Sequence, residues 1–492
     1  MSDEMQDNSQ RQVGVLAVVG VVVRAISQSM SLILLLLAGR FLTVELFGIF
    51  VLASILMNFA VMQMYSGIYN YVLKEPNFDT TQRTAFGLQI IFSIFFALAI
   101  LLVAGVVKLA GWGGLLAALI AATALVPMLA MMASWQEAML LRKGDVKYYY
   151  ASLLTSEVCG FVLGVVMLVN GGGVWALIAN RYCAAAVMAA MLTVKVRAIP
   201  LPALDREHAR SIIDFSMGLY GAAAMSFVSA YGAAIILGGF LSATAVGLFR
   251  MGARTATAAF DLFAQTFRVL TWQAVGRMSR EERLPPELWT RLVAVTVSIM
   301  ILVLGALSIL ARPVTLFLLG EQWVDMVPVL QIMCWIKILH TVDLVCTAQL
   351  AAVGQSKFLF RARVMEIALM LVALLATVQF GTVAVTMALV PSTLLYVVLL
   401  LRKLAHMTEL SFAHVARSIL PGVLLSLLAL VAVYAVSRAM AGQPVPLLII
   451  ATAIAGCAAY LALAFIALRQ WTIASLQSVS VAILPAREKD PV

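Results

Sequence analysis

Apolar runs of about 20 residues, the length that crosses a hydrocarbon core, recur along the whole 492-residue chain, broken by charges, prolines and glycine clusters. They begin near Val13, Leu46, Thr84, Trp112, Tyr149, Val174 and Ser211, then near Val246, Leu288, Met326, Phe360, Thr382, Val415 and Val445. In lipid only a helix or a closed barrel satisfies its own backbone. The pattern therefore predicts an all-α polytopic membrane protein of about fourteen transmembrane helices, with both termini on one side. Runs 11 and 12 are separated only by Gly381.

Composition agrees. Hydrophobic residues make up 63% and charged residues 11%, with a mean hydropathy of +1.03, against roughly 25% charged in a soluble domain. Soluble enzymes, secreted scaffolds and nucleic-acid binders are excluded. The first ten residues are polar, and the run Val13 to Ala38 is too long for a signal-peptide core, so it reads as a retained first span. The five cysteines stand alone, and the four histidines have no metal-ligand spacing with them. No cofactor or metal is expected.

Charge orients the chain. With the N-terminus inside, 24 of the 33 Lys and Arg are cytoplasmic, and only Arg40, Lys108, Arg312 and Arg438 face outward. Such a bias predicts cytoplasmic N- and C-termini, with attraction to anionic lipid heads as a secondary effect. The outer loops are short, the longest near Arg312 to Asp325, and the cytoplasmic loops at Lys195–Arg210 and Arg268–Arg291 are only slightly longer. No catalytic domain fits outside the membrane.

A repeat organises the spans. Phe41-Leu42-Thr43 with Gly48-Ile49-Phe50 matches Phe240-Leu241-Ser242 with Gly247-Leu248-Phe249, and Gly39 falls on Gly238. Further on, Gly144-Asp145-Val146-Lys147-Tyr148 matches Gly354-Gln355-Ser356-Lys357-Phe358. Two parallel six-helix lobes follow: residues 1–203 (spans 1–6) and 204–405 (spans 7–12), linked by Pro200 to Arg210. Residues 406–492 add spans 13 and 14 and a cytoplasmic tail. This is the architecture of an alternating-access carrier with its site between the lobes. A duplication without a transport role is the alternative.

A charge at the bilayer centre costs roughly 2.5–3.5 kcal/mol on insertion scales, so each one needs a partner or a wet cavity. In span 8, Arg250, Arg254, Thr257, Asp261, Gln265, Arg268 and Trp272 fall within an arc of about 80°. That cationic stripe suits an anionic guest. Span 1 carries Arg24 near its centre with Gln28 and Ser31 on one face, and span 2 lines up Ser54, Asn58 and Tyr65. For the neutral groups of span 2, interhelical hydrogen bonding is an equal alternative. Glu157 and Arg181 are expected to neutralise each other, and Arg363 with Glu366 to form a rim pair. Lys337, His340 and Asp343 cluster midway along span 10 but spread around the helix; a cavity role for Lys337 or proton coupling at Asp343 stays open. Trp112, Trp175, Trp323 and Trp471 read as interfacial residues. No GxxxxGK[ST] is present, which excludes direct ATP use through that loop.

Several segments resemble a known family: GRFLTVELFGIFVLAS after span 1, LLRKGDVKYYY after span 4, GGFLSATAVGLFRMGAR into span 8, and Ile309 to Trp335. They are similar to Wzx-type lipid-linked oligosaccharide flippases of the multidrug/oligosaccharidyl-lipid/polysaccharide (MOP) exporter superfamily, from about Val13 to Lys403. The resemblance implies a V-shaped pair of lobes in a bacterial inner membrane. These would carry an undecaprenyl-pyrophosphate-linked repeat unit to the periplasmic leaflet for exopolysaccharide or lipopolysaccharide assembly. Relatives hold the pyrophosphate with arginines in spans 1, 2 and 8. By that resemblance Arg24, Arg250 and Arg254 take this part, while span 2 departs, with no arginine and Asn58 as a poor substitute.

The expected substrate-binding set is thus Arg24, Gln28, Asn58, Arg250, Arg254, Asp261, Gln265 and Arg268. The expected activity is translocation without covalent chemistry, driven by an ion gradient or the membrane potential. Expected partners are the lipid-linked oligosaccharide, membrane lipids, and polysaccharide polymerase and chain-length proteins, with no nucleic acid. A cation-coupled exporter of drugs or small metabolites is the alternative, but would favour an acidic cavity. A membrane glycosyltransferase, polymerase or ligase would need larger outer loops.

Overall fold

The computed structural model describes residues 2–76, 78–197, 199–280 and 286–466. The expected cytoplasmic tail and Trp471 lie outside the described residues. Within them the chain is helical and holds no strand. The chain divides into two compact units, Met1–Gly247 and Leu248–Val492.

The first unit contains α1 (Ser2–Phe41), α2 (Val44–Met64), α3 (Gly67–Lys74), α4 (Phe78–Leu109) and α5 (Gly114–Ala122). It continues with α6 (Val126–Arg142), α7 (Val146–Val169), α8 (Trp175–Val196), α9 (Arg206–Phe240) and the first turn of α10 (Ala243–Arg280). The second unit holds the rest of α10, then α11 (Pro286–Ile309), α12 (Ala311–Leu318), α13 (Val327–Ala352) and α14 (Ser356–Thr377). It ends with α15 (Thr382–Met387), α16 (Leu389–Met407), α17 (Phe412–Ala439) and α18 (Val445–Ile466).

Among the described residues twelve helices, some formed by two consecutive pieces, are long and apolar enough to cross a membrane. The two remaining expected spans, 8 and 11, are the helices α10 and α14. Their charged residues keep them out of that count.

Two spans are broken, one at Tyr65-Ser66 and one between Thr123 and Leu125, and a tyrosine hydroxyl from another helix mends each break. Between α2 and α3 the amide of Ile68 would lack a partner; it donates to the hydroxyl of Tyr220 on α9 at 3.3 Å. Ser66 Oγ donates to the Leu219 carbonyl at 3.1 Å. Gly67 is required here, because a Cβ would overlap the Tyr220 ring. Between α5 and α6 the Tyr182 hydroxyl donates to the Ala122 carbonyl, and Thr123 Oγ1 donates to Ile120 at 2.7 Å. Irregular backbone is tolerated at membrane depth only when protein groups satisfy it in this way.

The first unit, which runs to Gly247, includes α9, which packs against α2, α3 and α4. The linker folds back as well: Arg83 Nε donates to the Leu201 carbonyl and the Ala203 amide to the Arg83 carbonyl. In that linker the carboxylate of Asp205 accepts the amides of His208 and Glu207, which caps α9 and holds its pKa below the usual aspartate range. The cap therefore weakens as pH falls through that depressed value.

The duplicated motif is visible in matching local structures. Thr43 caps α2 by accepting the Leu46 amide at 3.2 Å, and Ser242 caps α10 by accepting the Ala245 amide at 3.1 Å. Gly48 lies against the Ala243 backbone and Gly247 against the Val44 backbone, so the two copies meet reciprocally. Gly144 and Gly354, the matched turn glycines, have φ of 78° and 74° between successive helices.

In the second unit α11, α17 and α18 pack together. Ser298 on α11 donates to the Gly422 carbonyl at 2.8 Å, and its hydroxyl meets those of Ser426 on α17 and Tyr460 on α18 at 2.7 and 3.0 Å. Buried hydroxyls serve as interhelical glue where apolar surface alone has little preference between lipid and protein. Trp112 and Trp175 are exposed as expected, but Trp323 is fully buried, because the turn around it folds over α13.

The glycine contact generates a test. A Cβ at Gly48 would fall inside the Ala243 carbonyl oxygen, a backbone atom that cannot rotate away. Gly48→Ala is expected to destabilise the protein by about 1–3 kcal/mol, the usual cost of overpacking. Thermal melting of purified protein with monodispersity by size exclusion checks it; an unchanged melting temperature would mean that α2 and α10 separate at no cost.

Candidate functional site

Two polar clusters stand inside the apolar helices, one in each unit. The first surrounds a cavity of about 290 Å3 lined by Asn58 and Tyr65 of α2, Glu137 of α6, Tyr149 and Glu157 of α7, and Arg181 of α8. Glu137 is only 6% exposed, and its Oε1 accepts the Tyr69 hydroxyl at 2.9 Å. Arg24 of α1 lies within electrostatic reach of Tyr149, Glu137 and Tyr69.

Arg24 therefore has an acidic neighbour after all, supplied by a different helix. Its own span offers none, and Glu137 sits so close to the basic turn Arg142-Lys143 that its charge counts with the loop. Arg142 itself is structural: it donates to the carbonyls of Val72, Glu75 and Pro76 and stacks on Phe78. Asn58 lines this cavity. Gln28, one turn from Arg24, is exposed. Glu157 and Arg181 interact across the cavity, but they do not form the contact pair that their similar depth suggested.

The second cluster is built on α10, α13 and α14. Along α10, Arg250, Asp261 and Gln265 are half-buried, and Arg254 and Arg268 exposed. The side chain of Trp272 lies outside the described residues. The first turns of this stretch approach α13 closely, since Gly252 packs against Val329 and Leu330. Lys337 of α13 consequently comes within electrostatic reach of Asp261, Arg250 and Arg254. The cationic stripe is richer than the helix wheel of α10 alone indicates. Arg24 belongs to the first unit, and Arg250, Arg254, Asp261, Gln265 and Arg268 to the second.

Beside this stripe a cavity of about 250 Å3 is lined by Phe260, Arg268, Lys337, His340, Asp343 and Arg363. Lys337, His340 and Asp343 share it although they do not share a narrow helix face. At 100° per residue they span an arc of about 120°, and α10 and α14 together enclose that width.

Arg363 and Glu366 are likewise no rim pair. Glu366 is 5% exposed. Arg363 Nη1 donates to its Oε2 at 2.6 Å, and Nη2 donates to Asp343 Oδ2 and to the Tyr396 hydroxyl, both at 3.0 Å. The guanidinium also stacks on the Tyr396 ring at 4.0 Å. Thr347 completes the knot by donating to Asp343 Oδ1 at 2.5 Å. Glu366 at one turn from Arg363 was visible in sequence; Asp343 and Tyr396 come from other helices.

Comparison with known proteins places this geometry. The polysaccharide biosynthesis protein family matches residues 36–328. The succinoglycan biosynthesis transport protein ExoT of Rhizobium meliloti (strain 1021) is 23% identical over 207 residues, which is 42% of this chain and 42% of that protein. The matched region thus spans less than half of that relative. Among solved structures, lipid II flippase MurJ in an inward closed conformation aligns with 91% of this chain and 98% of its own, at 12% identity and a TM-score of 0.74. An inward-facing multidrug resistance MATE family transporter of the MOP superfamily aligns with 80% and 99%, at 13% identity and a TM-score of 0.58. At these identities the likeness establishes a shared fold. The proteins it resembles are transporters and flippases rather than enzymes.

The knot around Arg363 makes a second prediction. Arg363→Ala leaves Asp343 and Glu366 facing each other without a cation, which is expected to cost about 3 kcal/mol, the low end for breaking a buried pair. Adding Asp343→Asn and Glu366→Gln should recover most of the melting temperature lost. A single variant that melts like the parent would show that the three charges do not act as a unit.

Proposed function

The chain belongs to the polysaccharide biosynthesis protein family, and from that membership we propose that it is a flippase for an undecaprenyl-pyrophosphate-linked oligosaccharide repeat unit. It would carry this substrate by alternating access across a bacterial inner membrane, for exopolysaccharide or lipopolysaccharide assembly. The coarser part of the reading rests on family and fold: a multi-pass membrane transporter of the MOP fold. The finer part is supported by one observation, that Lys337 lies within electrostatic reach of Arg250, Arg254 and Asp261.

A cationic stripe of this kind recognises a diphosphate through charge-assisted hydrogen bonds. Guanidinium groups match phosphate oxygens bidentately, and the pairing strengthens where water is scarce. Arg254 and Arg268 are exposed on α10 and free to meet a polar guest, with Gln265 between them as a neutral hydrogen-bonding group. In the first unit Asn58 lines the cavity, and Arg24, with Gln28 one turn on, lies within electrostatic reach of Tyr149 and Glu137. The isoprenoid tail would stay in lipid. MurJ, named a lipid II flippase, supports a lipid-linked substrate for this fold, and ExoT, named a succinoglycan biosynthesis transport protein, supports polysaccharide assembly.

The driving force is an ion gradient or the membrane potential, the latter worth about 2.3 kcal/mol per charge per 100 mV. Cytoplasmic termini follow from the Lys and Arg bias. Polysaccharide polymerase and chain-length proteins are the partners that would act on the delivered unit.

Arg254→Ala is expected to abolish polymer production in a complementation assay, with protein level and membrane insertion unchanged by immunoblot. Full polymer output from that variant would remove the anion-site assignment. Deletion of the gene should leave the lipid-linked intermediate on the inner leaflet.

A further inference from the structure

The cavity of the first unit differs from the stripe of α10 in carrying both signs of charge. Asn58 and Tyr65 of α2, Glu137 of α6, Tyr149 and Glu157 of α7 and Arg181 of α8 line about 290 Å3 of space. Glu137 accepts the Tyr69 hydroxyl with Oε1. Among the described residues the side chains of Asn58, Tyr65, Glu157 and Arg181 make no hydrogen bond to protein, although all four meet at this cavity. Polar groups at membrane depth are costly unless a partner completes them. The remaining wall is mostly methionine, valine, leucine and alanine.

Charge and hydrogen-bonding type decide which partner fits. Glu137 and Glu157 repel an anion, while Arg181, with Arg24 in electrostatic reach of Glu137, repels a cation. A wholly apolar guest would leave the polar lining unpaired. Carboxylates only accept hydrogen bonds and a guanidinium only donates them, whereas an amide and a phenol do both. A hydroxyl also does both, so a guest rich in hydroxyls can pair with every one of these groups. The apolar wall asks in addition for a C–H face. A sugar ring has both surfaces. The volume of 290 Å3 is that of about ten liquid waters, which holds a single ring and not a chain.

We propose that this cavity is a subsite for one neutral monosaccharide unit, with Asn58, Glu157 and Arg181 pairing with its ring hydroxyls. The proposal rests on the flippase reading for the source of the sugar, one unit of the lipid-linked repeat. The recognition itself stands on the first unit alone.

The full-length protein in phosphatidylcholine nanodiscs is titrated with D-glucose, D-galactose, D-mannose and N-acetyl-D-glucosamine, following ligand-detected NMR and thermal stability. Saturable binding of at least one neutral sugar is expected. Its amino-sugar and uronic-acid counterparts, which place a charge on the same ring, should bind at least tenfold more weakly. Asn58→Leu, which removes the amide, and Ala185→Leu, which fills the cavity and touches no polar group, should each weaken binding at least tenfold; Ala185→Ser should retain it. Absence of saturable binding, tighter binding of either charged counterpart, or parent-like affinity in both leucine variants overturns the proposal. The charged counterparts decide the matter on the parent protein alone if the variants do not fold. Arg254→Ala should keep sugar binding, which separates the two readings. No sugar binding, with polymer still lost in Arg254→Ala, removes the subsite and leaves the flippase standing; sugar binding, with full polymer from Arg254→Ala, does the reverse.

Discussion

A polar group placed in an apolar solvent must find its partner inside the protein, and this constraint organises the whole molecule. It explains why tyrosine hydroxyls stand at both helix breaks, with Tyr220 meeting the Ile68 amide and Tyr182 the Ala122 carbonyl. It explains why Ser298, Ser426 and Tyr460 converge between α11, α17 and α18. Charges obey it most strictly. Arg363 gathers two carboxylates and a phenol around itself, and Glu137 takes a phenol within reach of Arg24.

Groups that obey the constraint incompletely are the ones that point to function. Lys337 and the α10 arginines outnumber Asp261, and no rearrangement within α10 itself could balance them. An excess of one sign at membrane depth is a standing demand for an anion. In the function proposed above, the phosphates of a lipid-linked substrate would meet that demand. The acid-bearing cavity of the first unit is different in kind: Glu137 and Glu157 offset Arg181 and the nearby Arg24.

The spans and the duplicated motif were legible because both are local. A run of apolar residues measures its own length, and Thr43-Gly48 and Ser242-Gly247 repeat capping and packing chemistry that each copy performs on neighbouring backbone. The candidate site was legible only in part. The α10 stripe lies on one helix, so its periodicity exposes it. Glu137 was missed because its depth depends on Tyr69 of α3, and Lys337, His340 and Asp343 were read as scattered because their common cavity is closed by α10 and α14. At the breaks within α2–α3 and α5–α6, Ser66-Gly67 and Pro127 are local signs, but the tyrosines that mend them come from other helices. Trp323 looks interfacial on type alone, yet it is buried.

The mend at Ser66–Gly67 has a consequence for how the chain is made. Ser66 and its acceptor, the Leu219 carbonyl, are 153 positions apart. At about 5–20 residues per second, the ribosome needs roughly 8–30 s after finishing α2 to deliver α9. During that interval the interrupted span cannot rest in lipid with its amide groups bare. Until then the gap needs water or another polar partner, and its mend waits on Tyr220, which is synthesised late.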